Sequence, residues 1–148
     1  MVGGGQLARM THQSAIALGQ SLRVLAASPD DPAAQVSPDV VIGSHTDLDA
    51  LRKVAAGADA LTFDHEHVPA PILAALVGAG VTVRPGPAAL AHAQDKVHMR
   101  SAISAAGVPC PAWAVVSSAA EVVAFADANA WPVVLKVSRG GYDGRGVW

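Results

Sequence analysis

Short apolar runs alternate with longer amphipathic stretches over the first part of the chain. The runs have the length of strands and are SLRVLAA (21–27), DVVIGS (39–44), DALTFD (59–64) and VTVRP (81–85). Stretches with helical periodicity separate them, which is typical of βα units around a parallel sheet. The pattern therefore predicts an α/β fold with a Rossmann-like parallel sheet.

The first two predicted helices have recognisable ends. The first covers 6–18 and stops at Gly19, a residue type that commonly follows the end of a helix. Its apolar face is expected to contain Leu7, Met10, Ser14 and Leu18. The second helix covers 46–57 and is expected to begin at a Thr46 cap. Both lie between strands, as the βα pattern requires.

The pattern changes after the fourth strand. GPAALAHAQDKVHMRSAISAAG (86–107) contains two helical pieces in succession with no strand between them. This change predicts a domain boundary near Gln94. The chain would then consist of a Rossmann-like domain at 1–94 and the beginning of a second domain at 95–148.

A strand, WPVVLKV (131–137), and a glycine loop, RGGYDGRGVW (139–148), end the sequence. A glycine-rich turn normally joins two strands, but no second apolar run follows this one. We therefore expect WPVVLKV to lack its hairpin partner. We also expect the residues after Gln94 to be the less stable part of the chain.

Composition excludes several classes of protein. The 148 residues are 51% hydrophobic and 15% charged with a net charge of -2, which is the profile of a globular protein rather than of a disordered chain or a basic nucleic-acid binder. Proline and glycine interrupt the long uncharged stretches at 67–83 and 101–120, so neither is expected to span a membrane. Cys110 is the only cysteine, which excludes an intramolecular disulfide and favours a cytoplasmic location.

The string GGGQLA (3–8) fits the dinucleotide fingerprint G-x-G-x-x-A. A single match is weak, and Ser28 stands after the next strand where a ribose-binding acid is expected. Asp30 and Asp31 follow shortly after, so a nicotinamide cofactor is one alternative. The other is a glycine turn that serves only to pack a helix on the sheet.

Four ionisable residues, Asp64, His65, Glu66 and His67, follow the third predicted strand. Ligands of open α/β sheets bind at the carboxyl ends of the strands, so these residues and 3–7 should line one crevice. His65 and His67 could be two zinc ligands, although loop histidines that form hydrogen bonds are more common. Glu66 could hold a ligand hydroxyl or amine.

Lys136 and the glycine loop suggest a phosphate site. An ammonium on an apolar strand is costly to bury unless an anion meets it. Gly140, Gly141, Gly144 and Gly146 would leave backbone N–H groups open to phosphate oxygens, and Lys96 could reach the same site. The structural alternatives are an edge-strand lysine that reaches water and a hairpin without a ligand.

Four strings occur in the order GGGQLARM, TFDHEHVP, AQDK and LKVSRGGYDGRGVW. Together they resemble the N-terminal part of the N5-carboxyaminoimidazole ribonucleotide synthases, ATP-grasp enzymes of purine biosynthesis that are also called the ATPase subunit of phosphoribosylaminoimidazole carboxylase. The resemblance covers the whole chain. It implies a pre-ATP-grasp domain at 1–94 and the first part of an ATP-grasp domain at 95–148.

The resemblance implies a carbon–nitrogen ligase. Such an enzyme uses ATP and bicarbonate, through a carboxyphosphate intermediate, to carboxylate 5-aminoimidazole ribonucleotide to N5-carboxyaminoimidazole ribonucleotide. The implied cofactors are ATP and Mg²⁺, and the implied assembly of the full-length family is a homodimer. We expect neither a nucleic-acid partner nor a membrane partner.

Individual residues are carried over by position. The implied ATP-binding residues are Lys96, Lys136, Gly141, Tyr142, Asp143, Gly144, Arg145, Gly146 and Val147. The implied substrate-binding residues are Gln6, Leu7, Glu66, Tyr142 and Asp143. No catalytic residue or metal ligand is expected within the chain, because the family places these groups further along.

Three features differ from the family pattern. Relatives often have glutamine where this chain has Val147, glutamate where it has Asp64, and roughly another domain and a half after this point. We therefore expect the 148 residues alone to lack synthase activity. Alternatives are another ATP-grasp ligase, such as formate-dependent glycinamide ribonucleotide transformylase, and a non-catalytic nucleotide-binding or assembly module.

Overall fold

The computed structural model describes residues 1–141 and 144–148. The elements of the chain are α1 (Gln6–Ala17), β1 (Val24–Ala26), β2 (Val40–Ile42), α2 (Leu48–Ala55), α3 (Ala70–Gly78), α4 (Pro87–Gln94), α5 (Lys96–Ala105) and α6 (Ala119–Asn129). The chain divides into two compact units, Met1–Leu90 and Ala91–Trp148, which we call the first and second units. No helix in the part that the structure describes is long and apolar enough to cross a membrane.

A parallel sheet forms the centre of the first unit. β1 and β2 pair in parallel. Beyond β1, Val2 forms parallel bridges with Leu25 and Phe63, and Leu61 forms one with Val83. The order across the sheet is therefore β2, β1, the segment at Val2, the segment at Leu61 and Phe63, and the segment at Val83. This confirms the predicted α/β class, although the third and fourth predicted strands form single bridges rather than ladders.

Both faces of the sheet are covered. Successive residues of a strand point to opposite faces, and Leu25 joins one buried cluster while its neighbours Val24 and Ala26 join another. The larger cluster includes residues of α2 and α3, and its buried members are Val2, Leu25, Ala50, Leu51, Val54, Ala55, Leu61, Val68, Leu73, Leu76, Val83 and Leu90. The smaller cluster contains Met1, Ala8, Val24, Ala26 and Ala33. With both faces occupied, the ends of the strands are left for ligands.

The predicted apolar face of α1 is wrong. The residues that α1 buries are Ala8 and His12, whereas Leu7, Met10 and Leu18 are 57%, 53% and 74% exposed. The reason is close packing, since Ala8 lies in a cluster made mainly of alanines, where large side chains do not fit.

The start of α2 also differs from the prediction. The N-cap is Asp47 rather than Thr46, and its Oδ1 accepts hydrogen bonds from the backbone N–H groups of Asp49 (2.9 Å) and Ala50 (3.4 Å). The Thr46 hydroxyl instead forms a hydrogen bond with that of Ser44 at 2.7 Å. Asp caps helices as well as Thr does, so the sequence alone could not choose between adjacent candidates.

The second unit contains a short antiparallel ladder. Leu135 and Trp148 exchange two backbone hydrogen bonds of 2.9 Å, and the Val137 N–H donates to the Gly146 carbonyl at 2.9 Å. The expectation that WPVVLKV lacks a partner is therefore wrong. Residues 146–148 therefore pair with residues 135–137.

Burial is distributed unevenly between the units. All but one of the buried apolar side chains of the described residues belong to the first unit, and the exception is Ala126. The α5 helix has no buried residue. Among the large apolar side chains of the second unit, Val115, Val134 and Trp148 are 67%, 66% and 71% exposed. Hydrophobic burial therefore stabilises the first unit far more than the second.

Hydrogen exchange should detect this difference. We expect the backbone amides of α5 and α6 to exchange faster than those of α2 and α3, because fewer buried contacts oppose local opening of the second unit. Exchange measured by mass spectrometry compares both pairs of helices in one sample. Slower exchange in α5 and α6 would contradict the argument from burial.

Candidate functional site

The glycine turn before α1 lies against two carboxylates. A β-carbon at Gly3 would lie 1.6 Å from Asp64 Oδ1, and one at Gly4 would lie 2.5 Å from Asp31 Oδ2. Gly3 also has a φ of 118°, which side-chain-bearing residues rarely adopt. Contact with acidic side chains therefore explains why the turn needs glycine at these two positions.

Asp31 holds the loop after β1. Its Oδ2 accepts hydrogen bonds from the backbone N–H groups of Ala27 (2.9 Å) and Ser28 (3.3 Å). An acid near this point binds the ribose in dinucleotide-binding sheets. Because the Asp31 carboxylate is engaged with its own loop, the geometry does not favour the nicotinamide alternative.

Asp64 places a buried carboxylate beside the first turn of α1. Its backbone N–H donates to the Val2 carbonyl at 3.1 Å, which fixes it next to the glycine turn. The side chain is 8% exposed, and Oδ1 has no hydrogen-bond partner among the described residues. An unpaired buried polar atom is costly, so the burial of this oxygen against Gly3 opposes folding unless nearby groups compensate it. Its negative charge disfavours a pyrophosphate at the same place.

Three histidine rings cluster in the first unit. The ring centroids of His45 and His65 are 5.0 Å apart, those of His65 and His67 are 5.2 Å apart, and those of His45 and His67 are 6.3 Å apart. Sequence reasoning singled out His65 and His67 but missed His45. The same rule could have found it, because His45 follows β2 as His65 follows the third predicted strand.

The loop backbone fixes the tautomer of His65. Its Nδ1 accepts a hydrogen bond from the His67 backbone N–H at 3.1 Å. A neutral imidazole that accepts at Nδ1 carries its proton on Nε2, so we assign the Nε2–H form. His65 Nε2 lies 4.0 Å from Asp64 Oδ1, which is too far for a direct hydrogen bond. The two side chains are therefore close without forming a direct hydrogen bond.

Burial lowers the pKa of His65 below its usual value of 6.5. The Asp64 carboxylate opposes this shift, the His45 and His67 rings add to it, and Glu66 opposes it weakly. The imidazole is therefore neutral near neutral pH and acts as an uncharged donor beside Asp64.

The predicted substrate-binding residues of the first unit lie close to this pair in the chain. Gln6 and Leu7 are the first two residues of α1, and both are exposed. Glu66 is half-buried and follows His65. The contact between Gly3 and Asp64 brings the two segments together, as the sequence predicted. Contact of these side chains with a substrate stays a prediction.

Lys96 and Lys136 line one cavity of about 820 Å³ in the second unit. The Lys96 backbone N–H donates to the Ser138 carbonyl at 2.9 Å. Its Nζ lies 3.5 Å from the point that a β-carbon on Gly141 would occupy. Lys136 is exposed, so the expectation that its ammonium is buried and therefore needs an anion is wrong. Both lysines line the same cavity, and their contact with one anion stays a prediction.

The glycine loop packs on Val137. A β-carbon at Gly141 would lie 2.9 Å from the Arg145 carbonyl oxygen and 3.0 Å from Val137 Cγ2. One at Gly146 would lie 2.5 Å from Val137 Cγ2. Gly144 and Gly146 have φ values of 80° and 72°. Glycine is therefore required in the loop for close packing as well as for its backbone conformation.

An ion pair joins the start of α5 to the start of the loop. Arg139 Nη2 lies 2.8 Å from Asp95 Oδ2. Asp95 also caps α5, and its Oδ1 accepts hydrogen bonds from the N–H groups of Val97 (2.9 Å) and His98 (3.1 Å). The hydrogen bond from His98, with those from Val97 and Arg139, lowers the pKa of Asp95 below its usual value. Sequence reasoning missed Asp95, which fixes the position of its neighbour Lys96.

The structure describes two of the four remaining loop residues that were predicted to bind ligands. Arg145 is exposed, and Val147 forms an antiparallel bridge with Lys136. Tyr142 and Asp143, which were predicted to contact both ATP and substrate, lie outside the described residues.

The described residues do not form a metal site. No group of three or more His, Cys, Asp or Glu side chains in residues 1–141 and 144–148 is arranged to hold a metal ion. The third ring, His45, therefore does not turn His65 and His67 into a zinc site.

Gly3→Ala should destabilise the first unit more than Gly19→Ala. Both glycines have positive φ, 118° and 67°, so both substitutions cost about 1 kcal/mol or more in backbone conformation. Only at Gly3 does the new β-carbon collide with Asp64, since nothing lies within 4 Å at Gly19. We expect the free energy of unfolding, measured by urea denaturation, to fall by roughly 2 kcal/mol more for Gly3→Ala. Adding Asp64→Ala should recover part of that loss, and equal losses for the two alanines would contradict the contact.

The His65 ring should titrate below pH 6.5 in ¹H–¹³C NMR spectra. Asp64→Asn should lower its pKa further, and His45→Phe should raise it, because the two groups act on it in opposite directions. A folded-state pKa below the unfolded value gives stability that is present above pH 6.5 and is lost as the pH falls through the folded pKa. A pKa of 6.5 or more in the unmodified chain would contradict the assignment.

Known sequences resemble this chain over nearly its whole length. Residues 1–94 match the sequence model of the ribonucleotide synthetase preATP-grasp domain. The N5-carboxyaminoimidazole ribonucleotide synthase of Mycobacterium tuberculosis strain H37Rv is 66% identical over 147 residues, which are 99% of this chain and 34% of that protein. The chain thus spans about a third of the length of the curated relatives it matches.

Solved structures give the same result. An N5-carboxyaminoimidazole ribonucleotide synthetase in complex with ADP matches with a TM-score of 0.87 at 30% identity, over 99% of this chain and 38% of that one. The Aspergillus clavatus synthase in complex with ADP and 5-aminoimidazole ribonucleotide matches with a TM-score of 0.82 at 28% identity, over 99% and 39%. The resemblance seen in the sequence motifs is confirmed. Since the family model covers residues 1–94, more than half of the chain, this protein belongs to the family of ribonucleotide synthetase preATP-grasp domains.

Proposed function

We propose that this chain is the N-terminal part of an ATP-dependent carboxylase of de novo purine biosynthesis. The enzyme converts 5-aminoimidazole ribonucleotide and bicarbonate to N5-carboxyaminoimidazole ribonucleotide. Residues 1–94 form its preATP-grasp domain and 95–148 begin its ATP-grasp domain. The names of the relatives and the ADP and 5-aminoimidazole ribonucleotide in the A. clavatus structure support this proposal.

The observation that carries the proposal is the cavity shared by Lys96 and Lys136. A nucleoside triphosphate carries several negative charges, and proteins bind such groups with ammonium ions and open backbone N–H groups. Lys96 Nζ lies beside Gly141, so an ammonium and the glycine loop meet at one point. The ATP phosphates bind here, and residues 141–147 cover them.

The nucleotide substrate binds at the first unit. Its amine and ribose hydroxyls are hydrogen-bond donors, and carboxylates such as those of Glu66 and Asp64 accept hydrogen bonds. Gln6 and Leu7 supply backbone N–H groups of the first helical turn, where an α-helix leaves donors without internal partners. The site therefore offers both acceptors and donors to a small polar molecule.

The reaction has two steps. A bicarbonate oxygen attacks the γ-phosphorus of ATP, which gives carboxyphosphate and releases ADP. The substrate amine then attacks the carboxyl carbon, inorganic phosphate leaves, and the amine loses a proton. The lysines neutralise charge that develops on the phosphoryl oxygens, which is the main contribution of a protein to phosphoryl transfer.

Mg²⁺ commonly assists such transfers by neutralising charge on the phosphoryl oxygens. Its ligands are expected outside these 148 residues. Within the proposal, the full enzyme is a homodimer that acts in the cytoplasm.

A chimera tests the proposal. In the M. tuberculosis relative, this chain replaces the 147 matching residues. We expect ATP hydrolysis that depends on both bicarbonate and 5-aminoimidazole ribonucleotide. Lys96→Met or Lys136→Met should lower kcat/KM for ATP by about 100-fold, because each removes a charge that meets the phosphates.

Two controls accompany this assay. Lys53→Met removes an exposed lysine of α2 and should change kcat/KM less than twofold. Glycinamide ribonucleotide in place of 5-aminoimidazole ribonucleotide should give no coupled hydrolysis, which distinguishes the proposed enzyme from the other ATP-grasp ligase. An inactive chimera, or lysine variants as active as the unmodified chimera, would overturn the proposal.

A further inference from the structure

An ion pair joins the two elements that are proposed to bind the ATP phosphates. Arg139 is the first residue of the glycine loop, and its Nη2 lies 2.8 Å from Asp95 Oδ2. Asp95 directly precedes Lys96, whose backbone N–H donates to the Ser138 carbonyl at 2.9 Å. The start of α5 and the start of the loop are therefore joined twice, once through the backbone and once through charged side chains.

These two connections determine where the Lys96 ammonium lies. Asp95 Oδ1 accepts hydrogen bonds from two backbone N–H groups of the first turn of α5, which fixes the helix end that carries Lys96. The Lys96 Nζ lies 3.5 Å from the point that a β-carbon on Gly141 would occupy. A shift of the loop relative to α5 would separate the ammonium from the loop backbone, and the ion pair opposes such a shift.

Arg139 also neutralises a charge that opposes the binding of anions. The Asp95 side chain is 17% exposed and belongs to the residue before Lys96, so an unpaired carboxylate there would repel a triphosphate. The Arg139 side chain is 66% exposed, and ion pairs with such an exposed partner add little to the free energy of unfolding. Loss of the pair should therefore affect the binding of ATP more than the stability of the chain.

We propose that Asp95 and Arg139 are positioning residues for ATP binding. The pair holds the glycine loop and Lys96 in one arrangement and keeps the Asp95 carboxylate neutralised. A triphosphate then meets the ammonium and the loop backbone together, without contacting either member of the pair. This inference rests on the proposed function, because it takes the ATP phosphates to bind at Lys96 and the loop.

A double-mutant cycle in the chimera with the M. tuberculosis relative tests the positioning role. Arg139→Met should raise KM for ATP about fivefold and change kcat less than twofold, because the pair acts on nucleotide binding. Asp95→Asn removes the charge but keeps a residue that caps helices well, so it breaks the ion pair without removing the cap. In the Asp95→Asn background, Arg139→Met should change KM for ATP less than twofold.

Two further variants serve as controls. Arg139→Lys keeps a positive charge near Asp95 and should bring KM for ATP to within about twofold of the unmodified chimera. Arg52→Met breaks another exposed ion pair, with Asp49 at 3.1 Å, and should leave KM for ATP unchanged. Urea denaturation should give equal free energies of unfolding for Arg139→Met and Arg52→Met, which separates a positioning role from a general loss of stability.

NMR spectroscopy of the 148-residue chain tests the pair without ATP. The backbone hydrogen bond from His98 contributes most to lowering the pKa of Asp95, and Arg139 lowers it further. Arg139→Met should therefore raise the pKa of the Asp95 carboxyl group, and Arg139→Lys should raise it less. If Arg139→Met leaves this pKa unchanged, the inference is wrong whatever the chimera does.

The kinetic outcomes separate the two proposals. An inactive chimera would overturn the proposed function and this inference with it. If the chimera is active and Arg139→Met raises KM for ATP equally with Asp95 and with Asn at that position, Arg139 contacts ATP directly and only the positioning role is wrong. An unchanged KM for ATP in Arg139→Met would also overturn the positioning role and leave the proposed function intact.

Discussion

The first unit depends on a carboxylate packed directly on a glycine. Asp64 Oδ1 occupies the space that any β-carbon at Gly3 would need. The sheet enforces the contact, because the Val2 N–H donates to the Thr62 carbonyl and the Asp64 N–H donates to the Val2 carbonyl. A buried charge is tolerable only where nearby groups compensate it, and here it lies at the positive end of α1. The fold therefore holds in place an acceptor that its own residues leave partly unsatisfied.

The second unit is held together differently. It buries almost no apolar side chain, and its loop is positioned by the ion pair of Asp95 with Arg139 and by packing of glycines on Val137. Exposed ion pairs contribute little to stability, typically below about 1 kcal/mol, so these contacts set geometry more than they resist unfolding. Low local stability is common in segments that must move around a ligand. The phosphate-covering role that we propose for residues 141–147 has this requirement, whereas the substrate-binding role that we propose for the sheet edge of the first unit does not.

The sequence predicted those parts of the fold that the pattern of hydrophobic burial determines. The alternation of apolar runs with helical stretches was enough to predict a parallel sheet, and the carboxyl ends of the strands located Asp64 and His65. Prediction failed where close packing or an adjacent residue determined which side chain is buried or forms a contact. The face of α1 follows the small space around Ala8 rather than the size of Leu7. Asp95 was missed because its ion pair with Arg139 forms only after folding, whereas the position of His45 after β2 follows the same rule that located His65.

The two candidate sites have opposite chemistry. The edge of the first unit combines the carboxylates of Asp64 and Glu66 with an uncharged donor, His65, whereas the cavity of the second unit is lined by Lys96 and Lys136. A dinucleotide bound at the glycine turn would place its pyrophosphate against Asp64, where its charge is repelled. Two separate ligands avoid this conflict, because a triphosphate matches the lysines and a hydroxyl-bearing molecule matches the carboxylates. The distribution of charge therefore favours an enzyme that couples two different substrates over one that binds a single dinucleotide.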